Sequence, residues 1–433
     1  MIKRMFDLAQ HKKINELEII TTQNRTFSVQ AYEGKIESYK KTNTGGIGVR
    51  GTFNNRTGYA YSERVNEDEF DFVLDMMKSN ASLLDDKEPL YSQNETGMWS
   101  DIQSEIPEAK QIEMALAMEH EALKQPQVSS VSTSLITSGY GKTLVANSYG
   151  LNKTHEANYS MAYLSVVTKQ GDVVETDSAY FVGDLHHLSV ESLAREAAEK
   201  ARRKLGGKSV PTGNYSVILD REVVCALLQT YSGIFSARNV IQGLSRLEGK
   251  LGQKLFGKLD LVDDPSSGYE QVHFDSEGVP ANKLYLVRDG SLENYLHSLQ
   301  TAEQMKCSST GHGLRGYKGT VQIAPHRMQI PSGTRTYDEL IKDMGNGLYI
   351  TDVQGLHSGT NTISGDFSLA AQGFLIENGE WAGPVKNITI AHNFFELFAG
   401  QWVKGNDFDF NMPGGHSQFA SPSILFPKIS VSS

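Results

Sequence analysis

Between Glu16 and Ser62 the chain reads ELEIITT, TFSVQAYEG, KIESYKKTN, GIGVRGTF and RTGYAYS, and in several of these segments every second residue is apolar. A half-buried antiparallel sheet requires this period, because successive strand side chains point to opposite faces. Gly and Asn between the segments supply the turns. Across all 433 residues, 40 glycines against 12 prolines extend the expectation to many tight turns between short strands.

Helical period interrupts this pattern at defined places. Residues 1–12 read as a short helix. NEDEFDFVLDMMKSNASLL sets Phe70, Val73, Leu74 and Met77 on one stripe, with acids in the first turn to complement the helix dipole. The polar stretch DDKEPLYSQNETGMWSDIQSEIP reads as a connection between lobes. It is followed by a helix near 107–124, further strands, and SVESLAREAAEKARRKLGG as a helix with a Gly stop.

From Asn214 the texture changes. NYSVILD reads as a strand, and Asp220 is a suitable N-cap for a helix from Arg221 that carries Val223, Val224, Leu227, Leu228, Tyr231 and Phe235 on one face. Beyond it short strands dominate, apart from the short helices TYDELIKDM and NFFELFAG. The expected class is α+β: an N-terminal sheet-and-helix lobe over residues 1–209, with a sub-boundary near 85–106, then a β-rich domain over residues 210–433 with a barrel-like or curved sheet.

Composition narrows the function. A net charge of −10 without a dense Lys/Arg run argues against a nucleic-acid surface. The N-terminus MIKRMFDLAQ has no apolar core after its cations, and no run is long enough to span a bilayer. Two distant cysteines, Cys225 and Cys307, make no disulfide framework, so a reducing, cytoplasmic setting is expected.

Three groups of residues carry a resemblance. They are GGIGVRGTFNNRTGYAYS with its acidic helix, SLENYLHSLQTA with SSTGHGLRGY, and the long run YDELIKDMGNGLYITDVQGLHSGTNTISGDFSLAAQGFLIENGEWAGPVKNITIAHNFFELF. In this order the chain resembles the TldD/PmbA family, the modulators of DNA gyrase. The resemblance implies two related subunits that pair into a metallopeptidase acting on unstructured peptides, including precursors of ribosomally made peptide antibiotics. The TldD type carries a GxLLHExxGH helix and a further Cys ligand near its C-terminus. The TldE/PmbA type lacks the metal ligands and serves as the partner.

Set against that pattern, ALLQTYSGIF (226–235) keeps Leu227, Leu228 and Gly233. Gln229 stands at the first His position, Thr230 at the Glu and Ile234 at the second His. Zinc in peptidases takes imidazole, carboxylate or thiolate donors, and neither a neutral amide nor an alkyl chain supplies one. A Thr hydroxyl cannot replace a general base whose contribution is typically about 10²–10⁴ in rate. Ligands five residues apart also lie about 140° apart on a regular helix. A metal-bearing helix therefore needs a local distortion or a helix end, and Gly233 marks the place for it.

Other candidates are weaker. His312 in STGHGLRGY reads as a solvated loop His or a substrate contact. His416 in NMPGGHSQF falls near the family's Cys ligand but has no evident second partner. Cys307 has Lys306 and His312 nearby in sequence, without a Cys-peptidase signature. In LHSGTNTISGDFS, glycines 355, 359 and 365 allow close backbone approach. Asn361, Ser364, Asp366 and Ser368 there offer hydrogen-bond groups to a peptide, or to a turn network.

The resulting expectation is a non-catalytic subunit of a TldD/TldE-type peptidase. It binds no metal itself, shapes the peptide chamber and partners a zinc-bearing TldD-type subunit; a homodimer is also compatible. The alternatives are a standalone peptide- or protein-binding module and an independent hydrolase with a non-zinc nucleophile.

Overall fold

The computed structural model describes residues 2–83 and 87–433. Part of the expected sub-boundary near 85–106 thus lies outside the described residues. So does Leu84, at the end of the second expected helix.

Several segments of the alternating stretch merge. Glu16–Tyr32 and Lys35–Phe53 form one long hairpin, in register from Glu16 opposite Thr52 to Tyr32 opposite Lys35 with one bulge. The polar run Thr21–Arg25 does not break the first strand, because it is paired on both sides, with Tyr140–Leu144 as well as with the hairpin partner. Val128–Asn147 is likewise one strand. The result is a seven-stranded sheet, antiparallel except at one edge. There Thr96–Asp101 runs parallel to the start of Asn152–Gln170, while Val173–Val182 pairs with the far half of that same strand. The polar stretch expected to be a connection therefore holds an edge strand, which sets Trp99 beside His155.

Alternation along the first strand decides what each face meets. Leu17 and Ile19 pack under helices Ile2–His11 and Phe70–Ala81; Phe27, Val29 and Ala31 pack under Glu108–Leu123 and Val190–Arg203. Each fully buried aliphatic or aromatic side chain of this kind contributes roughly 1.5–3 kcal/mol. Glu18 and Ile20 face the other way, toward the second half of the chain. Ile20, Val145 and Leu151 form a small core with Phe274. The loop around Phe274 closes by a Phe274–Pro280 bridge, and the Lys153 ammonium donates to the Gly278 carbonyl at 2.9 Å. Gly278 has φ +81°, and a Cβ there would lie 2.2 Å from the Leu151 side chain, so glycine is required where the halves touch.

The same junction buries charge. Arg50 donates to Glu18 and to Glu277, each at 2.9 Å, and Arg315 donates to Glu18 at 2.7 Å; all four side chains are at most 1% exposed. Such groups are tolerated in a core only when paired. Two of them come from the first sheet and two from the second half, so the network joins the lobes.

In the second half, Gly213–Leu219, Gly347–Gln354, Asp366–Glu377, Glu380–Asn393 and Ile424–Ser432 pair in a cycle that closes a five-stranded barrel. A second, six-stranded sheet includes Leu261–Asp263, Arg327–Gln329 and Gln418–Ser421. Helix Arg221–Tyr231 packs between the barrel strand Gly347–Gln354 and the strand Gln418–Ser421. The α+β class with a barrel-like C-terminal region is therefore what the chain adopts. Among the described residues no helix is long and apolar enough to cross a membrane.

Candidate functional site

Asp220 caps the helix as expected, its carboxylate accepting from the Glu222 amide at 2.9 Å. The helix ends at Tyr231 rather than running on to Phe235. Residues Ser232–Phe235 form a 3₁₀ turn, after which Ser236 is extended and its chain pairs with Leu296. The break therefore falls at Gly233, where the metal-bearing pattern needs one. Asn239 fixes it by donating to the Gly233 carbonyl at 2.8 Å. All six apolar residues of the expected stripe are buried, Phe235 by way of the turn.

The three changed positions diverge. Gln229 is exposed, and the Thr230 hydroxyl is turned back onto its own helix, donating to the Ala226 carbonyl at 2.8 Å. Ile234 is 1% exposed within the main apolar core. One amide, one committed hydroxyl and one buried alkyl group do not fit a zinc ion.

Asn361, Ser364 and Asp366 are brought together, beside this helix end. The Tyr231 hydroxyl donates to the Asp366 carbonyl at 2.9 Å, and its ring stacks on Phe394. The side chains of the turn are engaged with one another. Asn361 Oδ1 accepts from the amides of Ile363 and Ser364, while the Ser364 hydroxyl and the Asn393 amide both donate to the Asp366 carboxylate. Those last two hydrogen bonds, Asn393 first, hold the Asp366 carboxyl below its ordinary range. Ser368 bonds through its backbone to Gly359. These contacts are those of the turn network.

His312 lies elsewhere, and the solvated-loop reading is corrected. Its side chain is fully buried, donating from Nε2 to Asp263 at 2.8 Å. His416 also acquires the partner that its local sequence lacked: His326 Nδ1 is 3.2 Å from its Nε2. Asp263 is saturated by His312 and by the amides of His326 and Arg327. His326 in turn donates to the Gly311 carbonyl, and the Arg327 guanidinium bonds the His416 carbonyl. Burial, then the neighbouring His312, pushes the His326 imidazole down to about 3, so it is neutral and acts as a structural hydrogen-bond relay.

Cys307 meets His297, not His312, with Sγ 3.7 Å from Nε2. Burial pushes this thiol up, and burial together with His312 pushes His297 down to about 4. Both shifts oppose a thiolate–imidazolium pair, so the arrangement lacks the activation a nucleophilic cysteine needs. Cys225 is packed in the core, and burial raises its thiol as well.

A cleft of about 540 Å³ runs between the first sheet and the loops of the second half; its walls include His155, Glu270, His273, Arg315, Arg327 and His416. None of Gln229, Thr230, Asn361, Ser364 or Asp366 lines it. Asp101, His155 and His273, which carry no local motif, converge, and the two imidazoles line the cleft. They come from the edge strand, its parallel neighbour and the docking loop.

Comparison with known proteins agrees with this architecture. Family models described as the PmbA/TldA metallopeptidase domain 1, central domain and C-terminal domain match residues 17–81, 102–205 and 212–433. The metalloprotease PmbA of Escherichia coli O157:H7 is 25% identical over 97% of this chain and 92% of its own. The crystal structure of a putative modulator of DNA gyrase from Thermotoga maritima superposes with a TM-score of 0.88 at 26% identity, covering 99% of both chains. TldE from Thermococcus kodakarensis shares the fold with a TM-score of 0.86 at 23% identity, over 99% of this chain and all of its own. With the C-terminal model alone spanning half of its length, this chain belongs to the PmbA/TldD metallopeptidase family.

Proposed function

We propose that this chain is the non-catalytic subunit of a two-subunit peptidase for unstructured peptides, of the TldE/PmbA type. The observation that carries the reading is the divergence of Gln229, Thr230 and Ile234 around a helix break that is otherwise retained. The backbone keeps the shape, and the donors are gone. The partner, a TldD-type subunit with an intact HExxxH helix, supplies the zinc and the general base. This chain completes the chamber with the helix end and the Asn361–Asp366 turn, and the setting is cytoplasmic.

Extended peptides bind largely through backbone groups, which explains the lack of a strong side-chain signature. The experiment is sedimentation of this chain with an HExxxH-bearing family member from the same genome. The expected result is a stoichiometric complex. Failure to associate, with peptide binding by the lone chain intact, identifies a standalone binding module instead.

A further inference from the structure

We propose that Asp101, His155 and His273 form a binding site for a zinc-class divalent metal ion that clasps the two halves of the chain at the edge of the cleft. None of the three belongs to the degenerate helix, so the site is independent of the reading above. It also revises the expectation, drawn from that helix, that the chain holds no metal.

The geometry is convergent. His155 Nε2 lies 2.9 Å and His273 Nε2 3.3 Å from the same Asp101 Oδ2, and the three donor atoms lie within 4.8 Å of one another. Metal–ligand distances near 2.0–2.1 Å place the donors of a tetrahedral zinc site ~3.3 Å apart, so little movement is needed. Two imidazoles and one carboxylate form a common zinc donor set, with the fourth position left to water or to a molecule in the cleft. His155 and His273 both line that cleft.

The surroundings orient these ligands. The Trp99 ring stacks on His273 at 5.2 Å with the planes 16° apart. The second nitrogen of His155, Nδ1, faces the Glu270 carboxylate at 3.8 Å, beyond hydrogen-bond reach; closing by less than about 1 Å when an ion holds Nε2 would let this carboxylate orient the imidazole. Burial is partial: the three side chains are 17–38% exposed, leaving a path for an ion. The fully buried Asp263–His312–His326 group is the poorer candidate. Protein donors already saturate its carboxylate, and the Arg327 guanidinium beside it repels a cation.

The placement gives the ion a role. Asp101 and His155 belong to the first sheet, whereas His273 precedes Phe274 in the loop that docks on it. A bound ion ties that loop to the sheet.

The test uses the full-length chain stripped with chelator and titrated with Zn²⁺ by calorimetry and with Co²⁺ by visible absorption. The expected result is one equivalent of either ion, with the intense d–d bands of low-coordinate cobalt and a raised melting temperature. Asp101→Asn and His273→Gln are expected to weaken binding by about 100-fold or more, and Glu270→Gln by about tenfold. A His326→Gln/His416→Gln variant is expected to bind normally. The apo melting temperature of each variant reports whether it folds, and His155→Gln is a second route if one does not. No stoichiometric uptake by the wild type overturns the proposal, leaving the three residues a hydrogen-bonded triad. Uptake unchanged in the Asp101 and His273 variants, or lost in the His326/His416 variant, overturns it equally.

Discussion

The hydroxyl of Tyr231 donates to the backbone carbonyl of Asp366 at 2.9 Å, and so ties the last residue of the degenerate helix to the first residue of the barrel strand Asp366–Glu377, where the Asn361–Asp366 turn ends. A neutral hydrogen bond of this kind contributes about 1 kcal/mol, with a further penalty if the carbonyl loses its partner. Tyr231→Phe keeps the stack on Phe394 and removes only the bond. It should lower unfolding free energy by about 1 kcal/mol in a urea titration. No change would mean that the helix end and the turn are not coupled through this contact.

Restoring the family motif tests whether the donors alone were lost. Ile234 is packed in the main core, so Ile234→His buries an imidazole among apolar neighbours and should cost about 2–3 kcal/mol. Gln229 is exposed, and Gln229→His should stay within about 0.5 kcal/mol. Denaturant midpoints of the two variants provide the check. A well-tolerated Ile234→His would place this position at an open site rather than in the core.

The junction between the halves depends on buried charge. Arg50→Ala leaves Glu18 and Glu277 facing each other without their shared cation, both fully buried. Removing one partner of such a pair typically costs about 3–5 kcal/mol. Urea unfolding of the variant should show a loss of that size, and a loss below about 1 kcal/mol would contradict the assignment of this network as the joint.

Acid should weaken the fold through His326. Burial, reinforced by His312 and His416, pushes its imidazole to about 3, against 6.5 as its ordinary value. The unfolded chain therefore takes up this proton first. The stability contributed by the neutral ring is fully present above pH 6.5 and is lost as pH falls toward 3, by up to about 1.4 kcal/mol per pH unit. Unfolding free energies at pH 7 and pH 4.5, compared with those of His326→Gln, isolate this proton: the wild type should show the steeper decline. Parallel declines would contradict it.

Local features were legible in the sequence, and long-range ones were not. The stripe from Val223 to Tyr231, the Asp220 cap and the break at Gly233 depend on neighbours within a few positions, and each was readable there. The edge strand Thr96–Asp101 was not, because its register is set by Asn152–Ala157 some fifty residues away and its polar composition mimics a linker. His312 was misplaced for the same reason: its Gly-rich setting suggests a solvated turn, yet Asp263 arrives from a distant strand to bury it. The convergence of Asp101, His155 and His273 requires the parallel pairing and the docking loop together, and no local motif announces it.

The proposed role, contributing to peptide cleavage without performing it, is open to a direct measurement. It is hydrolysis of an unfolded peptide by three preparations: this chain alone, an HExxxH-bearing family member from the same genome alone, and an equimolar mixture, each with and without chelator. The predicted result is no hydrolysis by this chain alone, full hydrolysis by the mixture, and loss of that activity on chelation. Hydrolysis by this chain alone, unaffected by Cys307→Ser or abolished by it, would rule out a non-catalytic role.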